Sequence, residues 1–261
     1  MIQPSFSLRW RIALGVAAVL VLIIGYALLA TKVDSKTIPT PGQMWDAFTR
    51  SMTPRSPTES AWLWADLWAT GQRLFAGLAV GVVLAVILGI AMGCYGAIES
   101  VLLPPLSFLA KIPPTAMIAI FLVAFGLTFN MYVGMIGFGI LPTLTQAVYL
   151  AAKEDVPEEL LHKAQTLGAS SAEVIGNIVW PTALPRVLDA VRLQVGPAMV
   201  YLIAAEMLFA DIGFGYRIRL QQRLLDMSTV YDYLIVLGAA GFAIDLCLKL
   251  ARRWFSPWYG T

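Results

Sequence analysis

The sequence offers few side chains suited to covalent chemistry, and their spacing does not assemble a reaction centre. His162 is the only histidine, so neither a His-rich metal site nor a Ser-His-Asp relay has its raw material. Cys94 and Cys247 stand far apart, each inside an apolar run, which reads as core packing rather than a disulfide or a metal cluster. No lysine follows a glycine, so the Gly-x-x-x-x-Gly-Lys-Ser/Thr loop that cradles nucleotide phosphates is missing. Paired-histidine helix motifs and a Gly-x-Ser-x-Gly elbow are missing too. The chain is therefore read as non-enzymatic, with no catalytic residue, metal or cofactor of its own.

What remains are carboxylates in apolar surroundings: Glu206, Asp211 and Asp245. A carboxylate inside a membrane span is costly and faces a cavity or a partner. Glu206 is read either as a hydrogen-bonded structural hub or as a group lining a pathway. Asp211 lies near a span end, and Asp245 has Lys249 four residues on, a spacing that allows pairing along a helix.

The richest polar stretch runs from Lys153 to Arg192 and has the punctuation of two short helices. Asp155 and Glu158 have capping-box spacing, and Pro157 suits a first helical turn, giving an expected helix from about Val156 to Leu167. Gly168 falls where a left-handed residue ends that helix; Ser170 and Glu173 form a second capping box; Pro181 and Pro185 are expected to stop the helix that follows. Helical spacing places Leu160, Ala164 and Leu167 on one apolar face, with Leu161 and Gly168 beside it, and turns Glu159, His162 and Lys163 away.

The elements that must carry these residues are set by composition. Of 261 residues, 59% are hydrophobic and 13% charged, against about 45–50% and about 25% in soluble domains. With a mean hydropathy of +0.75, the solvent for much of the chain is lipid. A net charge of +2 without a basic tract excludes a nucleic-acid footprint.

About 20 apolar residues cross a bilayer, and on that measure we expect a single all-α transmembrane domain over 1–261 with about six spans. They are placed at 12–30, 74–98, 104–127, 131–152, 190–210 and 233–250, with the 153–185 segment between the fourth and fifth. The first is read as a retained anchor, since no small-residue cleavage site follows it. Gly126 to Asn130 supplies the turn between the third and fourth. The 31–60 connection is read as a loop with one short helix around Met44 to Phe48, and Trp45, Trp62, Trp64 and Trp68 suit the headgroup level. Gly77, Gly81, Gly89 and Gly93 form two small-residue patches for close helix packing.

Both termini are expected in the cytoplasm. That orientation gathers Arg9, Arg11, Lys153, Lys163, Arg186, Arg192, Lys249, Arg252 and Arg253 inside, against Lys32, Lys36, Arg50, Arg55, Arg217, Arg219 and Arg223 outside, a slight inward excess.

Ala164, Gly168, Ile178 and Pro181 fit the pattern Glu-Ala-Ala, three residues, Gly, nine residues, Ile, one residue, Leu-Pro. In this the chain resembles the permease subunits of binding-protein-dependent ABC importers of type I, in the nitrate, sulfonate, taurine and bicarbonate branch. Supporting segments are Pro39-Thr40-Pro41, Lys111 to Ala116, Ala124-Phe125-Gly126, Gly168-Ala169-Ser170, Ala205-Glu206-Met207 and Gly213 to Tyr216. His162 and Lys163 stand where the pattern has Glu and Ala, and Trp180 replaces its Leu; Glu158 and Glu159 lie one turn earlier and offer the acid.

The resemblance implies a multi-pass protein of the bacterial inner (plasma) membrane that forms the passage for a small polar solute, expected to be an anion such as nitrate, a sulfonate or bicarbonate. It implies ATPase coupling through Glu158, Glu159, His162, Lys163, Ala164, Gly168, Ala169, Ser170, Ile178 and Pro181. The implied partners are a second permease copy, two ATPase subunits holding ATP and Mg, and an extracytoplasmic binding protein. The alternative is a self-sufficient secondary transporter or channel using Glu206 and Asp245, which calls for inverted repeats that the sequence does not display.

Overall fold

The computed structural model describes residues 8–32, 38–54 and 61–256. Among them the regular structure is entirely helical. In order the helices are α1 (Leu8–Lys32), α2 (Pro41–Met52), α3 (Trp62–Cys94), α4 (Gly96–Leu109), α5 (Ile118–Phe125), α6 (Phe129–Glu154), α7 (Glu158–Thr166), α8 (Ser171–Val174), α9 (Trp180–Phe209), α10 (Phe214–Arg223) and α11 (Met227–Phe255). Among the described residues five helical stretches are long and apolar enough to cross a membrane, or six when the bent pair α4–α5 counts as one.

The chain divides into two compact units, Met1–Trp64 with Ile218–Ile235, and Ala65–Arg217 with Val236–Thr261. In the first, Thr40 caps α2 through a reciprocal capping box with Gln43, so the short helix expected around Met44 to Phe48 is three turns long. The Tyr26 hydroxyl donates to the Pro39 carbonyl at 2.8 Å, tying α1 to the start of that helix. Asp226 caps α11 by accepting from the Thr229 amide and hydroxyl. Lys36, Arg55 and Pro57 of the connecting segment lie outside the described residues.

In the second unit α6 is the central element. Met131, Met135, Ile136, Ile140, Leu144 and Val148 along it are fully buried, against α3 on one side and α9 on the other. Small residues make the α3 contact close. A Cβ on Gly77 would meet Ile136, on Gly81 Ile140, on Gly89 Val148 and on Gly93 Ala152, each within 2.6 Å, while Ala85 between the two pairs is fully buried. Lipid gives no hydrophobic drive between helices, so this fit of side chain into backbone groove carries the packing.

The expected third span, 104–127, is not one straight helix. α4 carries Pro104 and Pro105, stops at Leu109, and meets the following 3₁₀ turn (Pro114–Met117) and α5 at 83°. Pro113 and Pro114 explain the break, because each lacks an amide donor and each restrains the residue before it to extended backbone. The second span begins earlier than expected, at Trp62, because Asp66, Thr70 and Arg73 lie on a helix that hydropathy alone starts at residue 74. The sixth helix likewise runs beyond 233–250 at both ends.

Pro181 and Pro185 do not end a helix, which corrects the expectation from sequence. Residues Ser171–Phe209 run continuously, with a π-helical turn at Ile175–Val179 immediately before Pro181. In that turn the Trp180 amide bonds the Ile175 carbonyl, five residues back. The wider register moves the backbone where a proline ring would otherwise collide with the preceding turn.

Candidate functional site

α7 is held between two devices. At its start Pro157 occupies the cap position without a side-chain cap, so the Asp155 and Glu158 capping box does not form. The Asp155 carboxylate instead accepts from Arg186 Nη1 at 2.6 Å, an ion pair from 31 residues on that local spacing cannot reveal. At its end the Ala169 amide bonds the Ala164 carbonyl and the Gly168 amide bonds the Gln165 carbonyl, both at 3.0 Å. These are the two bonds of a Schellman motif, and Gly168 has the φ of +79° that the motif requires.

Ser170 then starts α8. Its hydroxyl accepts from the Glu173 amide at 3.3 Å, and its amide donates to Glu173 Oε2 at 2.8 Å, completing the capping box expected there. Leu161, Val174 and Ile178 pack around Ala152, Val156 and Val179, with Ile90 and Cys94 of α3 beside them. The loop is thereby seated on the ends of α3, α6 and α9.

The buried side of α7 differs from the face the spacing predicts. Ala164 is buried and Leu161 half-buried, while Leu160 is exposed and Leu167 is 87% exposed. The left-handed turn at Gly168 swings the chain away beneath Leu167 and leaves it uncovered. Glu158, Glu159, His162 and Lys163 are exposed, as are Gly168 and Ser170; Ala169, Ile178 and Pro181 are half-buried. A shallow cleft of about 380 Å³ opens beside Leu167, lined by Gly168, Ala169, Glu173, Val174, Asn177 and Ile178.

The second concentration of polar groups surrounds Glu206, whose side chain is fully buried. Its carboxylate accepts from Arg73 Nη1 at 2.7 Å, from the Thr70 hydroxyl at 3.0 Å and from the Gly215 amide at 3.0 Å. Asp66, also fully buried, accepts from the Gly213 amide at 2.9 Å and from Arg217 Nε at 2.8 Å. The Thr70 hydroxyl takes the Phe214 amide between them. Three consecutive amides entering α10 are thus held by side chains of α3 and α9, satisfying donors that a helix start leaves open. Arg73 also donates to the Ile212 carbonyl at 2.8 Å and lies 4.4 Å from the Tyr132 ring centroid.

Gly213 has φ +124°, and a Cβ there would stand 2.6 Å from a Glu206 oxygen. Only glycine lets the loop approach the carboxylate this closely. Sequence reasoning singled out Glu206 but not Asp66, Thr70 or Arg73. Their signal was available: the three follow the i, i+4, i+7 spacing of one face of an otherwise apolar helix.

Asp245 does not pair with Lys249. Arg192 Nε reaches it at 2.7 Å, and Asp189 accepts from both Arg192 (3.4 Å) and Arg252 (2.5 Å), so four alternating charges join α9 to α11. Arg192 is an alternative that local spacing on α11 hides. Asp211 lies exposed just after α9. A further bridge links Glu99 of α4 to Lys153 and to the Tyr149 hydroxyl on α6.

An all-α chain with five or six helices able to cross a membrane, with Glu206 and Asp245 each paired to an arginine and a two-helix loop docked on its helix ends, has the architecture of an ABC importer permease. Residues 81–261 match the model of the binding-protein-dependent transport system inner membrane component family, and the chain belongs to that family. It is 26% identical over 264 residues to the taurine transport system permease protein of Escherichia coli, covering 98% of this chain and 95% of that one. Against the bicarbonate transport system permease protein of Synechococcus elongatus it is 26% identical over 268 residues, covering 97% and 94%. Among solved structures, an inward-facing methionine ABC transporter matches the fold with a TM-score of 0.59 at 17% identity, covering 83% of this chain and 99% of that one.

Proposed function

We propose that this permease forms the passage for a small anionic solute in an ATP-driven importer. Two copies enclose the pathway, two ATPase subunits holding ATP and Mg drive it, and an extracytoplasmic binding protein delivers the solute. Both termini and the α7–α8 loop face the cytoplasm. The resemblance to taurine and bicarbonate permeases supports an anion such as a sulfonate, taurine, bicarbonate or nitrate.

The observation that carries the coupling reading is the α7–Gly168–α8 loop. It is anchored by Leu161, Val174 and Ile178 on the ends of three long helices and turns its charged side chains and Leu167 outward. A push on such a loop is transmitted to α3, α6 and α9 together, because packed interiors move as rigid elements. The most apolar window of α11 has no buried residue within the chain, which supports a surface that meets lipid or a second copy.

Self-sufficient transport through Glu206 and Asp245 is the weaker reading, since each carboxylate has an arginine at 2.7 Å and a proton carrier must be free to exchange. Substituting Gly168→Pro tests the coupling reading. Proline fixes φ near −65°, opposite in sign to the φ of +79° found here, and removes the amide that bonds Gln165. The variant is expected to insert and to lose both transport and substrate-stimulated ATP hydrolysis; normal uptake would refute the reading.

A further inference from the structure

The break between α4 and α5, where the span bends by 83°, carries a lysine. The amides of Lys111 and Ile112 still bond three residues back, to the Phe108 and Leu109 carbonyls at 3.0 Å. Pro113 and Pro114 then have no amide to donate, and bonding resumes with the Ala116 amide on the Pro113 carbonyl. Broken backbone at membrane depth is tolerated where it is buried in protein or lines a water-filled cavity. Lys111 and Pro113 are both exposed, so this chain does not bury the break.

Packing on either side fixes the depth. Before the break, Leu106 shares a buried cluster with Tyr149, close to the carboxyl end of α6. After it, Pro114 and Tyr201 of α9 stand 3.1 and 2.6 Å from where a Cβ on Gly139 would be. At about 1.5 Å per residue, Gly139 lies about 15 Å from the amino end of α6 and about 22 Å from the other. Lys111 falls between the two levels, within a hydrocarbon core about 30 Å thick. Glu206 and Asp245 are each paired with an arginine, whereas among the described residues the Lys111 ammonium has no hydrogen-bond or ion-pair partner.

We propose that Lys111 lines the passage and contacts the anionic group of the solute as it crosses. A lone charge at this depth is costly against acyl chains and is retained where it faces water or a solute; snorkelling serves lysines near helix ends. An ammonium is a compact point charge with three rotatable donors, so it suits the clustered oxygens of a sulfonate, bicarbonate or nitrate without fixing one geometry. Passage requires binding weak enough for release, which one such charge supplies. The proposal rests on the reading of this chain as an anion permease and adds the residue that selects by charge.

The test uses the full importer, permease with ATPase and binding protein, in proteoliposomes, and follows uptake of taurine, ethanesulfonate, bicarbonate and nitrate. In a parent carrying Cys94→Ser and Cys247→Ser, Lys111→Cys should be labelled by sulfonatoethyl methanethiosulfonate, a membrane-impermeant anion, supplied on both faces. Its uptake of the anion that the parent carries should fall about tenfold at subsaturating solute. Aminoethyl methanethiosulfonate, which rebuilds an ammonium on the sulfur, should restore at least half of that uptake, and the neutral methyl reagent should not. A lysine that only fills space would be restored by both. Lys111→Arg and Lys111→Met, made with the native cysteines in place, give the same comparison should the cysteine variant fail to fold: arginine should keep uptake and methionine lose about tenfold. No labelling, equal rescue by the neutral reagent, or Lys111→Met uptake within about twofold of wild type overturns the proposal and leaves the anion reading intact. If wild type carries none of the four anions, the anion reading falls and this proposal with it.

Discussion

Arg73 Nη1 lies 2.7 Å from Glu206 Oε1 and joins residues 133 positions apart in sequence. The pair is the centre of a buried cluster that fixes the entry to α10, and the Arg73 side chain is only 12% exposed. Removing one member strands the other, which costs about 3–5 kcal/mol in buried pairs. Glu206→Ala should therefore lower the unfolding temperature in nanodiscs sharply, and the double variant Arg73→Met/Glu206→Met should recover only part of the loss, because the Gly215 amide and the Ile212 carbonyl stay unpaired. If the single and double variants melt alike, the pair is not the stabilising unit.

The glycine stripe on α3 gives a graded prediction. A Cβ on Gly89 would lie 2.6 Å from Val148 Cβ and 2.9 Å from the Thr145 carbonyl oxygen, and a backbone atom cannot rotate aside. Gly89→Ala should destabilise the bundle by about 1–3 kcal/mol. Gly71→Ala, with nothing within 4 Å on the same helix, is expected to be neutral or slightly stabilising. Equal thermal stabilities of the two variants would contradict the close α3–α6 approach.

Gly168→Ala isolates backbone strain from crowding, since nothing stands within 4 Å of a Cβ there. A left-handed non-glycine residue costs about 1–2 kcal/mol. The expected result is a loop that exchanges amide hydrogens faster over α7 while the exchange of α6 is unchanged. Uniform destabilisation of the whole chain would argue against a locally strained turn.

Asp245→Asn weakens the bridge from Arg192 to α11 but leaves Arg192 its contact with Asp189. The charges are partly exposed, so the cost should stay within about 1 kcal/mol. Uptake should remain driven by ATP and indifferent to an imposed proton gradient. Wild-type uptake that follows such a gradient, together with Asp245→Asn uptake that does not, would point to Asp245 as a carrier.

The turn at Gly168 and the Ser170–Glu173 box were legible because both are local patterns of adjacent residues. So was the glycine stripe, whose four-residue period is a property of one helix. Asp155 and Asp245 were misjudged for the complementary reason. Each had a plausible neighbour in sequence, and each is taken by an arginine from α9. Pro181 and Pro185 read as stops because one turn of π-helix, which no residue pattern announces, precedes them. The exposed Leu167 was assigned to the apolar face by spacing alone, whereas the chain reversal at Gly168 lifts it off that face.

ATP-driven passage through this permease is tested most directly by solute uptake into proteoliposomes containing the permease, its ATPase and its binding protein. The comparison is an intact ATPase against one unable to hydrolyse ATP, with a proton or sodium gradient imposed in both. Uptake is expected only with the intact ATPase. Uptake that persists with the inactive ATPase and follows the ion gradient would contradict it.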